Sequence, residues 1–421
     1  MLQSRLDHSE LVKKPAKVQE LNSQFKTILG DYPLDTFLKK SWQKRALFLP
    51  GALAGFHSPV DGPALLKLAC HEEAEARLID HARAPRPGES FAPWRLTEGP
   101  FEEHILQELG EFDWTLLVQD VDKFLPSVAR LLKLINFLPS WSIDDIMISF
   151  AKPGASVGPH TDRYDVFLLQ AQGTRRWQLS SQVNEENLRS DTELKVLAEF
   201  ESEESYLAQP GDVLYIPPGV AHFGVAEEDC LTLSFGFRSP PEATLLSALS
   251  DEVVAEAGEK QLNESRLQEA STPAELSPAL LRKVQTMMEE GVKKIIENPH
   301  WLGRYLTEAK PNIILDLPNV ALSPDDLELR LFSGEKLVRA SGARFLYVSP
   351  TLGEAPNCAI VFVDGIDYSL KDFSKGKELA RIVCEEEIST STLSPWLSGL
   401  ERNDLIQLLT EFYSNGYLRL H

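Results

Sequence analysis

Gly158-Pro159-His160-Thr161-Asp162-Arg163-Tyr164-Asp165 is the stretch on which the reading of this chain turns. A strand directs residues i and i+2 to one face, so His160 and Asp162 are spaced to present an imidazole and a carboxylate together. A second imidazole follows in Gly211-Asp212-Val213-Leu214-Tyr215-Ile216-Pro217-Pro218-Gly219-Val220-Ala221-His222. The His-x-acid triplet is weak by itself. His8-Ser9-Glu10 and His71-Glu72-Glu73 share the spacing, and neither sits in a strand pattern. Around His160 the setting differs. The apolar run Val166-Phe167-Leu168-Leu169 follows, then a turn at Gly173, then the short strand Arg175-Arg176-Trp177-Gln178-Leu179.

Just upstream, residues 143–151 alternate. Asp145, Met147 and Ser149 share one face, and Ile146, Ile148 and Phe150 the other. A polar face opposite an apolar one suits a barrel wall with a site inside it. It equally suits an ordinary half-buried strand with its polar face in water. Further strands are expected at 46–49, 76–80, 114–121, 213–217 and 230–238. Helices are expected at 34–45, with Phe37, Leu38 and Trp42 on one face, at 61–70 and at 124–137. Residues 83–93 read as a Pro-rich loop and 182–205 as an acidic insertion. Gly211-Asp212 reads as a hairpin turn, and Pro217-Pro218-Gly219 as a rim turn before His222. Many short strands with Gly and Pro turns give an α+β chain built on a double-stranded β-helix, the jelly roll of the cupin class.

At Pro240-Pro241 the pattern changes to helices over 244–257 and 277–297, the second capped by Ser277 with Pro278 behind it. Its apolar stripe, which includes Leu281, Met287, Met288 and Ile296, covers either the chain's own core or a second subunit. Residues 311–421 mix short helices with strands and resemble a winged helix. That unit holds 16 acidic against 10 basic residues, so it lacks the basic stripe that phosphate binding needs and reads as a structural or protein-docking module. The expected domains are a polar tail (1–33), a catalytic domain (34–240), a helical region (241–310) and the winged-helix-like unit (311–421).

The 421 residues carry a net charge of −21, which repels nucleic acid and anionic membranes and attracts basic partners. No apolar run reaches the ~18 residues of a membrane span. The first 24 residues lack the apolar core of a secretory signal. Cys70, Cys230, Cys358 and Cys384 show no paired spacing, so a reducing cytoplasm is expected.

Two His and one carboxylate on one side of a metal leave its other positions open, the arrangement of non-haem Fe(II) oxygenases. With His160, Asp162 and His222 as ligands, the open positions admit a 2-oxo acid and O2. Such a co-substrate needs a cation for its far carboxylate. Arg175 is placed for that role, with Ser149 as a hydroxyl donor. Taken alone, Arg175 reads as a surface arginine beside Arg176.

The chain resembles the bacterial JmjC-type ribosomal oxygenases, specifically the ribosomal protein arginine hydroxylases. The resemblance runs from about Leu34 to Pro240. It rests on Trp42-Gln43-Lys44-Arg45, Gly99-Pro100-Phe101-Glu102, Trp114 with Leu116-Leu117-Val118-Gln119, and Ile143-Asp144-Asp145 with Met147-Ile148-Ser149-Phe150. It rests most on Gly158-Pro159-His160 with Asp162, Tyr164-Asp165-Val166-Phe167, Leu214-Tyr215-Ile216-Pro217-Pro218-Gly219 and Gly236-Phe237-Arg238. It implies hydroxylation of the β-carbon of an arginine in a large-subunit ribosomal protein, number sixteen of the L series, with Fe(II) and 2-oxoglutarate. Carried over, His160, Asp162 and His222 bind iron, Arg175 and Ser149 bind 2-oxoglutarate, and Asp145, Met147, Tyr164 and Ser234 line the arginine pocket. Tyr164 then offers its ring face to the guanidinium. The resemblance also implies a homodimer through 241–310. Ala46 and Thr174 depart from the family's usual Pro and basic residue. Histidine-hydroxylating relatives share the metal site, and a cupin-type binding module without turnover is a further alternative.

Overall fold

A computed structural model describes residues 22–81, 94–111, 113–182, 184, 186–257, 274, 276–298, 300–310, 313, 315–349 and 359–421. The expected polar tail to residue 21, the loop at 83–93 and Cys358 lie outside them. The chain divides into two compact units, with the boundary between Ser239 and Pro240.

In the first unit the strands are β1 (Leu47–Leu49), β2 (Ala76–His81), β3 (Trp94–Glu98), β4 (Trp114–Val118), β5 (Ile143–Ala151), β6 (Val166–Gln172), β7 (Arg175–Ser180), β8 (Glu204–Ala208), β9 (Val213–Ile216), β10 (Ala221–Ala226) and β11 (Cys230–Phe237). Eight form one antiparallel sheet in the order β1-β9-β6-β11-β5-β4-β2-β3, and three form a second in the order β10-β7-β8. The two sheets pack face to face. Val166, Leu168, Leu214 and Ile216 of the large sheet meet Trp177, Leu179 and Ala208 of the small one. This is the jelly roll of the cupin class.

Alternation decides which face does what. Ile146, Ile148 and Phe150 of β5, Phe167 and Leu169 of β6, and Leu231, Leu233 and Phe235 of β11 join the main core with Phe37, Leu65, Leu131 and Ile135. Each large apolar side chain so buried contributes about 1.5–3 kcal/mol. The other parity of the same strands, including Ser149, Thr232 and Gln170, is buried between the sheets. The site therefore lies inside a polar-lined cleft whose walls are held from behind by apolar packing.

Several local expectations are corrected. The helix expected over 124–137 is three pieces: Val121–Phe124, Pro126–Ala129 and a 3-10 turn Arg130–Ile135. Pro126 excludes the helical region for the residue before it, and Leu125 is extended (φ −117°, ψ 106°). The first helix is Leu34–Lys40. In it Phe37 is fully buried while Leu38 lies on the exposed side. Trp42 reaches Phe37 (5.9 Å between rings) from beyond the helix end. Gly211-Asp212 does not close a hairpin, because β8 and β9 belong to different sheets. Asp212 instead pins that crossing, accepting from Gly51 N (2.6 Å) and Gln209 N (2.8 Å).

In the second unit the helices Glu242–Ala257 and Pro278–Ile296 pack on one another, with Lys294 Nζ on Glu256 Oε2 at 2.7 Å. Ser277 caps the second, accepting from Leu280 N at 3.2 Å. Strands β12 (Leu337–Arg339), β16 (Glu387–Ile388) and β17 (Leu418–Leu420) form one sheet. Strands β13 (Phe345–Val348), β14 (Ile360–Val363) and β15 (Ile366–Ser369) form another. Helices Pro324–Phe332, Gly376–Val383, Thr390–Leu397 and Arg402–Ser414 share a core with them around Trp396, Leu409 and Phe412. This is a winged-helix arrangement. The helix His300–Thr307, in the span expected to be part of the helical region, packs on the β13–β15 sheet.

Candidate metal centre

The loop carrying His160 is joined to β10 by a two-way backbone bridge. His160 N donates to His222 O (3.1 Å), and His222 N donates to His160 O (2.9 Å). Gly219 N of the Pro-Pro-Gly turn donates to Asp162 O at 2.8 Å. The far end of the loop is anchored by Asp165, which accepts from the Tyr215 hydroxyl and from Gln43 Nε2 (3.2 Å). Gly158 has φ +85°, and a Cβ there would lie 2.8 Å from the Val196 methyls. Glycine thus serves both the turn and the close approach of the acidic insertion.

These ties gather one donor atom each from His160, Asp162 and His222 within 4.8 Å of one another. His222 Nε2 stands 3.6 Å from Asp162 Oδ2. Each imidazole points its Nδ1 at a backbone carbonyl, His160 at Gly158 O (2.9 Å) and His222 at Val220 O (3.2 Å). With Nδ1–H committed there, each Nε2 keeps its lone pair for a metal. Burial, then His160 and Arg175 nearby, push the His222 imidazole well below its usual range, so it stays neutral. Burial raises the Asp162 carboxyl, against the opposing pull of His160 and the Tyr164 hydroxyl. Two imidazoles and one carboxylate in a confined space fit a divalent transition metal with open positions.

Arg175, in β7, is 2% exposed. Its Nη1 donates to Ser149 Oγ (3.2 Å) and Thr232 Oγ1 (3.4 Å), and its Nη2 to Gly224 O (3.4 Å). Its Nε is buried without a partner. The guanidinium lies over the Trp177 ring, 5.0 Å from the centroid. Gly224 makes room for that ring, since a Cβ would sit 2.5 Å from it. Burial pushes Arg175 down, and the group opposing that shift is Cys230. Burial in turn pushes the Cys230 thiol up, so it stays protonated. Among the described residues Arg175 therefore faces no carboxylate or thiolate. A buried cation left so costs several kcal/mol, and an anionic ligand removes that cost.

On the same inner face Asp145 (5% exposed) accepts from Asp120 N at 2.9 Å, and Ser234 pairs in register with Met147. Tyr164, 42% exposed, bonds Asp162. Burial, then the Asp162 and Asp145 carboxylates, raise its phenol. The structure thus gathers His160, Asp162 and His222, joins Arg175 to Ser149 and Tyr164 to Asp162, and puts Asp145, Met147, Ser149 and Ser234 on the inner face of one sheet. Sequence reasoning missed Thr232, Gln170, Trp177 and Arg77. Period-two alternation from Ser234 and Leu168 pointed to Thr232 and Gln170. Nothing local marked Arg77, whose charge acts on both Asp162 and Tyr164.

The chain is similar to known proteins in sequence and in fold. The JmjC domain family matches residues 130–245, and the ROXA-like winged helix family matches residues 299–419. The Escherichia coli (strain K12) ribosomal protein uL16 3-hydroxylase is 34% identical over 313 residues, 74% of this chain and 81% of that protein. A probable ribosomal oxygenase of Haemophilus influenzae is 35% identical over 218 residues, 51% of this chain and 52% of its own length. The structure of YcfD, a ribosomal oxygenase from Escherichia coli in complex with cobalt and 2-oxoglutarate, superposes with a TM-score of 0.78 at 29% identity, covering 93% of this chain and 99% of that one. From its fold, its donor set and these matches, the chain belongs to the JmjC-domain ribosomal oxygenases.

Proposed function

We propose that this protein is an Fe(II)- and 2-oxoglutarate-dependent oxygenase that hydroxylates the β-carbon of an arginine in ribosomal protein uL16. The observation that carries the reading is the buried, uncompensated Arg175 in the same cleft as the donor set His160, Asp162 and His222. Bound there, Fe(II) with 2-oxoglutarate supplies O2 activation and the oxygen that enters the C–H bond.

The protein's own residues do the rest. His160, Asp162 and His222 hold the metal from one side and leave the other side open. Arg175 and Ser149 receive the far carboxylate of 2-oxoglutarate. Asp145, buried beside Met147 and Ser234, accepts the substrate guanidinium. Tyr164 covers it with a ring face. An acid at the end of the cleft favours a cationic side chain over a neutral imidazole. Trp177 and Leu179 close the apolar side of the cleft against water.

The helix Pro278–Ile296 buries only Ile295 and leaves Leu281, Met287, Met288 and Ile296 exposed. That stripe supports a homodimer through 241–310, with twice the 47.1 kDa chain mass by light scattering. The ribosomal substrate supports a cytoplasmic setting, and the acidic balance argues against direct nucleic-acid binding. Mass spectrometry of ribosomal proteins from a deletion strain tests the substrate. Loss of 16 Da, the mass of one oxygen atom, from a uL16 arginine is expected; loss from a histidine of another protein assigns the histidine chemistry instead.

A further inference from the structure

Gln170 is 1% exposed, on the inner face of β6 opposite Thr232, and has no part in the chemistry above. Its amide nitrogen donates to Gln172 O (2.9 Å) and Gly173 O (3.1 Å). Both partners are carbonyl oxygens, so the reversed amide would set oxygen against oxygen. The orientation is therefore fixed by the turn. The amide oxygen is left facing Thr232, whose hydroxyl donates to it at 3.0 Å. A hydroxyl has one proton. With that proton committed, Thr232 meets Arg175 Nη1 as an acceptor. Ser149 differs. It accepts from the same Nη1, and its own proton has no acceptor among the described residues.

We propose that Gln170 is a positioning residue for the co-substrate subsite. By taking the Thr232 proton it holds Thr232 as an acceptor for Arg175, so that Ser149 alone offers a hydroxyl proton to the incoming carboxylate. Without Gln170 the buried Thr232 proton loses its acceptor, and a hydroxyl that turns to seek another leaves the orientation in which it accepts from the guanidinium. The inference rests on the reading of Arg175 and Ser149 as the 2-oxoglutarate subsite.

The test is calorimetric titration of 2-oxoglutarate into the Mn(II)-loaded full chain, with KM and kcat for 2-oxoglutarate and melting temperatures alongside. Gln170→Leu and Thr232→Val each raise Kd and KM about tenfold, the worth of one hydrogen bond to a charged group, with kcat little changed. Thr232→Ser restores wild-type binding. The double variant is no weaker than either single, because both remove one device. Variants that bind 2-oxoglutarate as wild type does and lose only melting temperature overturn the proposal, as does an additive double variant. If Gln170→Leu does not fold, the Thr232→Val and Thr232→Ser pair decides. A wild-type protein that does not bind 2-oxoglutarate sinks the co-substrate reading instead.

Discussion

Among the described residues three arginines bury their Nε without a partner, Arg77 and Arg175 in the jelly roll and Arg339 in the winged helix, and the instructive pair is Arg175 and Arg339. Burial pushes both downward, and both lie over an aromatic ring, Trp177 at 5.0 Å and Phe345 at 5.1 Å. They differ in what balances the charge. Arg339 Nη2 donates to Cys384 O at the C-cap of the helix Gly376–Val383, and Cys384, then the Glu386 carboxylate, oppose its shift. A helix C-terminus carries roughly half a negative charge, so the fold itself compensates Arg339. Arg175 has two hydroxyls, one carbonyl and a neutral thiol. An orphaned donor therefore does not mark a ligand site by itself; the missing counter-charge does.

The contrast is broken or sharpened by substitution. His160→Ala removes a metal ligand and leaves Arg175 in place. Fe(II)-dependent decarboxylation of 2-oxoglutarate should fall to background with the circular dichroism spectrum kept, and unchanged turnover would falsify the metal assignment. Arg175→Met should weaken 2-oxoglutarate binding about a hundredfold, since truncating one partner of a buried charge pair costs about 2–5 kcal/mol. The ligand-free melting temperature should not drop, because the variant deletes an uncompensated charge. Arg339→Met should do the reverse, costing about 1–3 kcal/mol of stability while 2-oxoglutarate affinity stays put. Asp145→Asn keeps an acceptor for Asp120 N. It should raise KM for the ribosomal protein about tenfold, the worth of one charge-assisted bond, while substrate-free decarboxylation persists. Equal KM values would remove Asp145 from the pocket.

The smallest effect concerns acid. Partial burial alone would raise the Asp367 carboxyl, but His300 Nδ1 (2.7 Å) and Arg304 Nη1 (3.1 Å) hold it below the usual range. Arg304 also pairs with Glu252 at 2.8 Å. A depressed carboxyl contributes stability above its unfolded pKa of about 3.9 and loses it as pH falls through the folded value. Asp367→Asn should therefore lower the melting temperature of the second unit at pH 7. The gap to wild type should close as pH drops below about 4. A gap that persists in acid would show that the pair carries no charge-dependent stability.

Strand parity made most of the site legible in the sequence. Once residues 143–151 alternate, Asp145, Met147 and Ser149 share a face whatever packs on it; His160 and Asp162 lie on a loop rather than a strand, and its backbone ties to β10 and to the Pro-Pro-Gly turn bring them together. The proline break at 126 was equally written in the chain and was overlooked, because apolar spacing on either side mimics one helix. The Gly211-Asp212 turn shows a different limit. Its residues specify a tight turn, but whether the flanking strands pair with each other or with other strands depends on which sheet accepts each. That is decided by long-range backbone pairing.

By itself the sequence determined which side chains could become ligands, which face of each strand was polar, and that a helix pair and a winged helix follow Pro240. These depend on local periodicity and residue chemistry. The tertiary structure alone decided that Arg175 has no counter-charge and Arg339 has one, and that a glutamine fixes the proton of a threonine 62 positions away. Such properties arise from burial and from the pairing of groups distant in sequence. Neither exists until the two sheets close on one another and remove water from between them.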